Sequence, residues 1–306
     1  MTHVTLPVFV LLGALVLAPA CAARPACGPD ALGTGREISI GGEALPLGLQ
    51  SYPRTLALED HEVVLTFDDG PAATTPQVLN ALAQECVKAT FFLIGHNAET
   101  MPHLVKRAIA EGHSVGHHSY SHPERTLRLM SEEAAKADID RGIATVEKAG
   151  YDNASATPHT PFFRFPGYAD TKPLLSWLAG RGITVFGSDL WASDWSAMTP
   201  KAELELVMSR LEKAGKGVIL FHDNKAATAK MLPDFLRELK KRGYRVAHMV
   251  PGPGPTPLAP AGPGWKSTTE PIIEKTLGGH GHSHAPAGVG HDHPPEAPEA
   301  PAEKAM

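Results

Sequence analysis

The sequence predicts an α/β protein whose sheet is largely parallel. Three observations carry that expectation. Short β-branched and aromatic runs recur from residue 61 to 250, stretches of helical period separate them, and polar residues able to do chemistry cluster where the runs end. The runs read EVVLTF, KATFFLIG, HSVGHHS, FFRFP, GITVFGSD, KGVILFHD and YRVAHMV. Strands alternating with helices are joined by right-handed crossovers, and both an open doubly wound sheet and a (β/α) barrel satisfy the pattern.

In chain order, residues 1–23 read as an export signal. The apolar stretch PVFVLLGALVLA is followed by the small-residue segment PACAA, in which Ala20-Cys21-Ala22 fits a cleavage pattern. The preceding MTHVTLP lacks Lys and Arg, so an uncleaved anchor is the alternative. Cleavage implies a protein in the periplasm, at the cell surface or outside the cell, with no stable membrane association; a monomer is expected. Two cysteines then remain, Cys27 and Cys86. They either form one bridge in an oxidising compartment, or Cys86 is a free thiol on the apolar face of a helix. Residues 24–60 form an N-terminal extension without clear period.

The first helical stretch covers 76–86, with Thr75 as N-cap and Pro76 in the first turn. A second, 132–149, puts Ile139, Ile143 and Val146 on one face, with Gly150 closing it. A third, 231–242, aligns Leu232, Phe235, Leu236 and Leu239 ahead of Gly243. After Pro251 the chain turns to PGPGPTPLAPAGPG and later to HGHSH and HDH, so 251–306 is expected to be a disordered Pro/Gly/His-rich tail. Its histidines suit loose metal binding better than a defined site.

Composition is ordinary, at 42% hydrophobic and 20% charged, with a net charge of −5 and no basic run. Nucleic acid is therefore disfavoured as a partner, whereas a neutral glycan is compatible.

The strand ends hold the chemistry. Asp68 and Asp69 end the first run, and HSYSH ends the third. Arg164 ends the fourth, Asp189 and Asp194 follow the fifth, and His222 and Asp223 end the sixth. His118 and His122 are four residues apart, which on one turn, or a loop folded like one, aims both rings at a common point. His113 and His117 share that spacing, but within a strand they stand about 13 Å apart and cannot share an ion. Two histidines and a carboxylate hold a divalent metal with open positions. Adjacent aspartates leave a strand in different directions, so one can ligate the metal while the other acts as general base on the water it activates. His222, from another strand, can protonate a leaving group. Metal-assisted hydrolysis follows from these residues alone.

Over roughly 61–250 the chain resembles the polysaccharide deacetylases of the NodB-homology, carbohydrate esterase family 4 type. TFDDG, HSYSH, RFPG, DLWASDW and LFHD occur in that family's order. The resemblance implies Asp68 as base, Asp69, His118 and His122 as metal ligands, Arg164 as the residue orienting Asp68, and His222 as acid tuned by Asp194. It also implies that Pro166 and the Gly167 N–H border the oxyanion, that Trp195 walls a groove, and that Leu220 meets the acetyl methyl. Two departures stand out: Gly167 then Tyr168 follow Pro166 where an aromatic is common, and Trp191 replaces an aspartate. The first leaves the form of the groove wall there open, and the second leaves the roles of Asp189 and Asp194 open. The implied fold is a distorted (β/α) barrel of about seven parallel strands. The implied substrate is an acetylated glycan (peptidoglycan, exopolysaccharide or chitin-like), and the implied ion is Zn2+, with Co2+, Mn2+ or Ni2+ also suited to the ligands. An acetylxylan-type O-deacetylase, a silent carbohydrate-binding domain and a metal-delivery protein are the rival readings.

Overall fold

A computed structural model describes residues 27–124 and 126–278. The expected signal segment and the HGHSH and HDH clusters lie outside the described residues.

Nine strands share one sheet: β1 (Thr34–Ile40), β3 (Glu62–Asp68), β4 (Thr90–Leu93), β5 (Ser114–His117), β6 (Phe162–Phe163), β7 (Thr184–Val185), β8 (Leu190–Trp191), β9 (Gly217–His222) and β10 (Arg245–Pro251). A separate antiparallel pair joins β2 (Arg54–Leu56) to β11 (Leu258–Pro260). The helices are α1 (Thr75–Gln84), α2 (Gly95–Thr100), α3 (Pro102–Ala110), α4 (Glu132–Tyr151), α5 (Lys172–Ala179), α6 (Pro200–Ala214), α7 (Ala226–Lys241) and α8 (Thr269–Gly278).

Every ladder in the large sheet is parallel. From β3 to β7 each strand pairs with the next in sequence, and β9 returns to pair with β3 along Val63–Asp68. Closure decides between the two architectures: Val64 of β3, Phe92 of β4, Phe162 of β6, Phe186 after β7 and Val218 of β9 meet in one inner cluster, whereas an open doubly wound sheet keeps its two ends apart. The structure is a distorted (β/α) barrel of the predicted kind. Its seam lies between β7 and β8, where residues 47–50 run alongside. Leu47 bridges Phe186, and the Gln50 N–H donates to the Ser188 carbonyl at 2.9 Å. Near its start β3 also pairs with β10, which in turn holds β1.

Strand parity aims the site. Along β3, Val63, Leu65 and Phe67 pack outward with α1 and α7 residues, while Val64 belongs to the inner cluster with Phe92, Phe162 and Val218. Side chains alternate along a strand, so Thr66 and Asp68 share the inner face with Val64. The same alternation turns Leu220 and His222 inward with Val218 on β9, and Arg164 inward with Phe162 beyond β6.

The folded unit is wider than 61–250. Ile38, Ile40, Leu47 and Leu56 from the expected extension are core residues, since β1 completes the sheet against β10. The tail expectation also needs correction: β11 and α8 are formed, and Ile273 is buried. Its Pro/Gly run contains β11, and the chain beyond it carries a helix start. Ser267 Oγ accepts from the Glu270 N–H at 3.1 Å, half of a capping box.

Two cap expectations also change. Thr74, not Thr75, occupies the α1 cap position, because the Thr75 hydroxyl instead donates to Asp223 Oδ2 at 2.5 Å. Helix α4 continues past Gly150 to a left-handed Asp152, and a Cβ at Gly150 would stand 2.5 Å from Ile109 of α3. That glycine lies inside the helix, against α3, and does not terminate it. Cys27 and Cys86 are joined in a disulfide.

Candidate active site and metal centre

The two aspartates diverge because Asp69 has φ 70°, a left-handed conformation that short polar side chains tolerate better than most. Asp68 continues the inner face of β3, and its Oδ1 accepts from Arg164 Nη1 at 2.7 Å. Arg164 is fully buried, with Nη1 also donating to Thr66 Oγ1, Nη2 to the Gly187 carbonyl at 2.8 Å, and its guanidinium 4.3 Å above the Phe92 ring. Such a charge is tolerated in the interior only with its donors occupied. Asp69 turns the other way. Its Oδ1 lies 3.5 Å from His118 Nε2 and 3.4 Å from His122 Nε2.

His118 and His122 lie in the loop after β5, which turns through positive φ at Ser119 and His122 and forms no helix. The loop is held by the Gly95 N–H on the Ser119 carbonyl and by Asp138 of α4, whose Oδ1 accepts from the Tyr120 N–H at 3.0 Å. Gly142 of α4 lies directly beneath it. A Cβ there would meet the Ser119 carbonyl carbon at 2.5 Å, so only glycine lets the helix come this close.

His118 Nδ1 is 2.7 Å from the Arg164 carbonyl, an acceptor, so Nδ1 carries the proton and the Nε2 lone pair faces Asp69. A lone pair facing a carboxylate at 3.5 Å calls for a cation between them. Ligands at 2.0–2.2 Å in a tetrahedron stand about 3.4 Å apart, which matches both contacts. Asp69, His118 and His122 thus fit a divalent metal. His113 and His117 stand away from that group. His117 is wholly buried in β5, and burial pulls its pKa down to about 3, while His113 Nδ1 accepts from the Ala89 N–H.

Across the pocket, His222 Nδ1 is 2.7 Å from Asp194 Oδ1, and its backbone N–H donates to Oδ2 at 2.6 Å. Burial works against a charged ring here. The carboxylates of Asp194, Asp69 and Asp68 outweigh it and push the His222 pKa up to about 9. Asp189 lies elsewhere, at the barrel seam, where it accepts from the Leu49 and Val218 N–H groups and from Thr55 Oγ1, each at 2.8 Å. It is a structural clamp whose pKa burial raises. Asp223 is likewise buried, pressed against Gly70, its pKa raised by burial to about 7.

Gly167 (φ 58°) and the inward-turned Tyr168 line the pocket with Leu220, Trp191 and Trp195. Pro166 is buried at the head of this turn. Tyr168 stacks on Trp191 at 6.3 Å, and Trp195 stands edge-on to the His222 ring at 6.0 Å. The two sequence departures therefore meet in a single aromatic wall. Unforeseen from the sequence are Thr269, Ile272 and Ile273 of α8, which close another side of the pocket. Helix α8 is anchored by Glu270, which accepts from both Arg128 Nη1 and Nη2. The signal for it was the Ser267-to-Glu270 cap followed by Ile273 and Leu277, four residues apart.

A family model described as polysaccharide deacetylase matches residues 56–185. A peptidoglycan-N-acetylglucosamine deacetylase of Bacillus cereus is 32% identical over 189 residues, covering 60% of this chain and 84% of that protein. The chain belongs to the polysaccharide deacetylase family. The peptidoglycan-N-acetylglucosamine deacetylase PgdA of Listeria monocytogenes is 31% identical over 207 residues, 67% of this chain, and the alignment spans only 42% of that longer protein. Among solved structures, the polysaccharide deacetylase fold of this chain matches a Bdellovibrio bacteriovorus peptidoglycan deacetylase with a TM-score of 0.58 and 30% identity, over 71% of this chain and 61% of that one.

Proposed function

We propose that this protein is a metal-dependent hydrolase that removes N-acetyl groups from an exported glycan, with peptidoglycan N-acetylglucosamine as the first candidate, releasing acetate. The observation that carries the proposal is the opposition, across one pocket, of the Asp68–Arg164 and His222–Asp194 pairs, with the Asp69, His118 and His122 donor set beside them. The names of the relatives support the substrate class, and a cell-wall substrate would put the protein in the periplasm or outside the cell, in keeping with the apolar N-terminal segment. No described helix is long and apolar enough to cross a membrane.

Asp69, His118 and His122 would hold the ion, for which Zn2+ suits two imidazoles and one carboxylate without thiolate. When bound, such an ion supplies Lewis-acid activation of water and of the acyl carbonyl. Asp68, oriented by Arg164, takes the proton from the attacking water. The N–H of Gly167 borders the position of the developing oxyanion. Leu220, Trp195 and Trp191 enclose the acetyl methyl. His222 gives its ring proton to the departing sugar nitrogen, and Asp194 holds the resulting neutral ring in place through Nδ1–H.

Acetate release by the full chain, with and without chelator, on N-acetylglucosamine oligomers and on acetylated xylan tests the proposal. Chelator-sensitive release from the oligomers supports it. Release from xylan alone points to an O-deacetylase. No release from either, with metal bound, points to a glycan-binding module.

A further inference from the structure

Behind the His222–Asp194 pair lies a further acidic residue that none of these steps uses. Glu203, in the first turn of α6, is fully buried, and its Oε1 lies 2.8 Å from the Thr228 hydroxyl of α7. The same hydroxyl lies 2.8 Å from Asp194 Oδ2. Threonine has one hydroxyl proton and donates to one of these carboxyl groups only. The other contact must be bridged by a proton of its own. Otherwise lone pairs would face each other at hydrogen-bond distance in the protein interior.

The surroundings say where that proton sits. Asp194 already accepts from the His222 backbone N–H on Oδ2 and from the His222 ring on Oδ1, which suits the ionised form. Glu203 lacks such a set, since its Oε2 meets no hydrogen-bond donor among the described residues. A buried carboxylate with a bare oxygen is far more costly than a neutral acid. The first turn of a helix favours an anion. Burial, and then the charge of Asp194, outweigh this and raise the Glu203 pKa to about 8.

We propose that Glu203 is a neutral carboxylic acid that donates its proton to Thr228 and thereby fixes the Thr228 hydroxyl on Asp194, making Glu203 and Thr228 positioning residues for His222. The hydrogen bonds run one way, from Glu203 O–H to Thr228 Oγ1 and from Thr228 O–H to Asp194 Oδ2, and no proton is transferred. Once Glu203 ionises, the Thr228 proton turns toward it, and Asp194 loses a donor on Oδ2, the oxygen that also accepts from the His222 backbone N–H, which loosens the carboxylate whose Oδ1 holds the His222 ring. The charged groups facing Glu203 are Asp194, from the β8–α6 connection, and His222, from β9. Beyond His222 stand Asp68 and Asp69 of the β3 end.

The role in turnover rests on His222 as general acid, so one arm of the test is independent of turnover. In the full chain near neutral pH, the infrared difference spectrum of wild type minus Glu203→Gln is expected to contain the carbonyl band of a protonated carboxylic acid. Its absence overturns the proposal even if the glycan reading fails. The second arm measures acetate release from N-acetylglucosamine oligomers. Glu203→Ala and Thr228→Val are expected to lower kcat about tenfold with KM near wild type, the scale of one hydrogen bond to a charged group. Glu203→Gln, whose amide N–H can still donate to Thr228, should recover most of that loss. It should also begin its alkaline decline at higher pH than wild type, whose decline starts around the Glu203 pKa of about 8, leaving only the limb from deprotonation of His222 itself. A Gln variant no better than Ala, or one whose alkaline decline begins at the same pH as in wild type, would overturn the positioning role, since a purely structural residue leaves the pH profile in place.

Discussion

Asp68 and Asp69 are neighbours in sequence, yet the positive φ at Asp69 sends one to a buried guanidinium and the other to a pair of imidazoles. The two should therefore fail differently. Asp68→Asn is expected to keep stoichiometric metal and lose turnover by about 10² to 10⁴, the usual contribution of a general base. His118→Ala is expected to lose metal and turnover together. Metal analysis of the purified variants, alongside acetate release, distinguishes the two outcomes. If Asp68→Asn also loses its metal, the division of labour between the aspartates is wrong.

A second residue-scale expectation concerns His248 of β10. Its Nε2 accepts from the Ser114 N–H at 3.2 Å, so a proton there would set one N–H against another. Burial, aided by the nearby His113 and Lys88, pulls its pKa from 6.5 to about 4. In this window the unfolded chain binds the proton and the folded one does not, so stability rises with pH. The contribution is complete above pH 6.5 and is lost as pH falls to about 4, amounting to about 3 kcal/mol at most. Urea midpoints of wild type and His248→Gln between those pH values should converge on acidification. A constant gap would show that His248 does not titrate with folding.

Among the elements, α8 had the weakest sequence signal relative to its place in the structure. The candidate ligand loop was legible because HSYSH carries its chemistry in its spacing, and the barrel because β-branched and aromatic runs kept their order. What hid α8 was the Pro/Gly-rich stretch before it. A window dominated by PGPGPTPLAPAGPG reads as unable to bury surface, although Ile273 lies only a few residues further on and packs beside Leu220. Strand β1 was hidden differently, since its partner β10 lies more than two hundred residues away and local period cannot reveal that pairing. Trp191 and Tyr168 were each visible as departures, but their stacking follows from the pocket's three-dimensional closure. Because Ile273 walls the pocket, Ile273→Ala is expected to raise the rate on N-propionyl relative to N-acetyl glucosamine oligomers several-fold, as a lost hydrophobic contact of about 1–3 kcal/mol allows. An unchanged ratio would place the acyl group away from α8.

For the molecule as a whole, the Cys27–Cys86 bridge spans a sequence separation of 59 residues and fastens the segment ahead of β1 to the end of α1. By chain entropy, closing a loop of this length contributes up to about 4 kcal/mol. Adding reductant, or replacing Cys86 with Ser, should lower the thermal midpoint by several degrees. Metal content should stay the same, because neither cysteine approaches the pocket. Equal midpoints with and without reductant would mean the bridge adds nothing to the folded state.

The pairing of β1 with β10, and the placing of α8 after both, bears on the order in which this protein becomes competent. All three proposed metal ligands have been synthesised by residue 122, yet the strand that β1 needs appears only at 245–251 and the α8 wall of the pocket only at 269–278. A nascent chain therefore carries its ligands through most of its synthesis without the enclosure that would give them a substrate. A product cut short after β10 would still be able to bind metal while lacking one side of the pocket. Loss of α8 should thus leave a protein that looks intact by metal analysis and is deficient only when offered the proposed glycan.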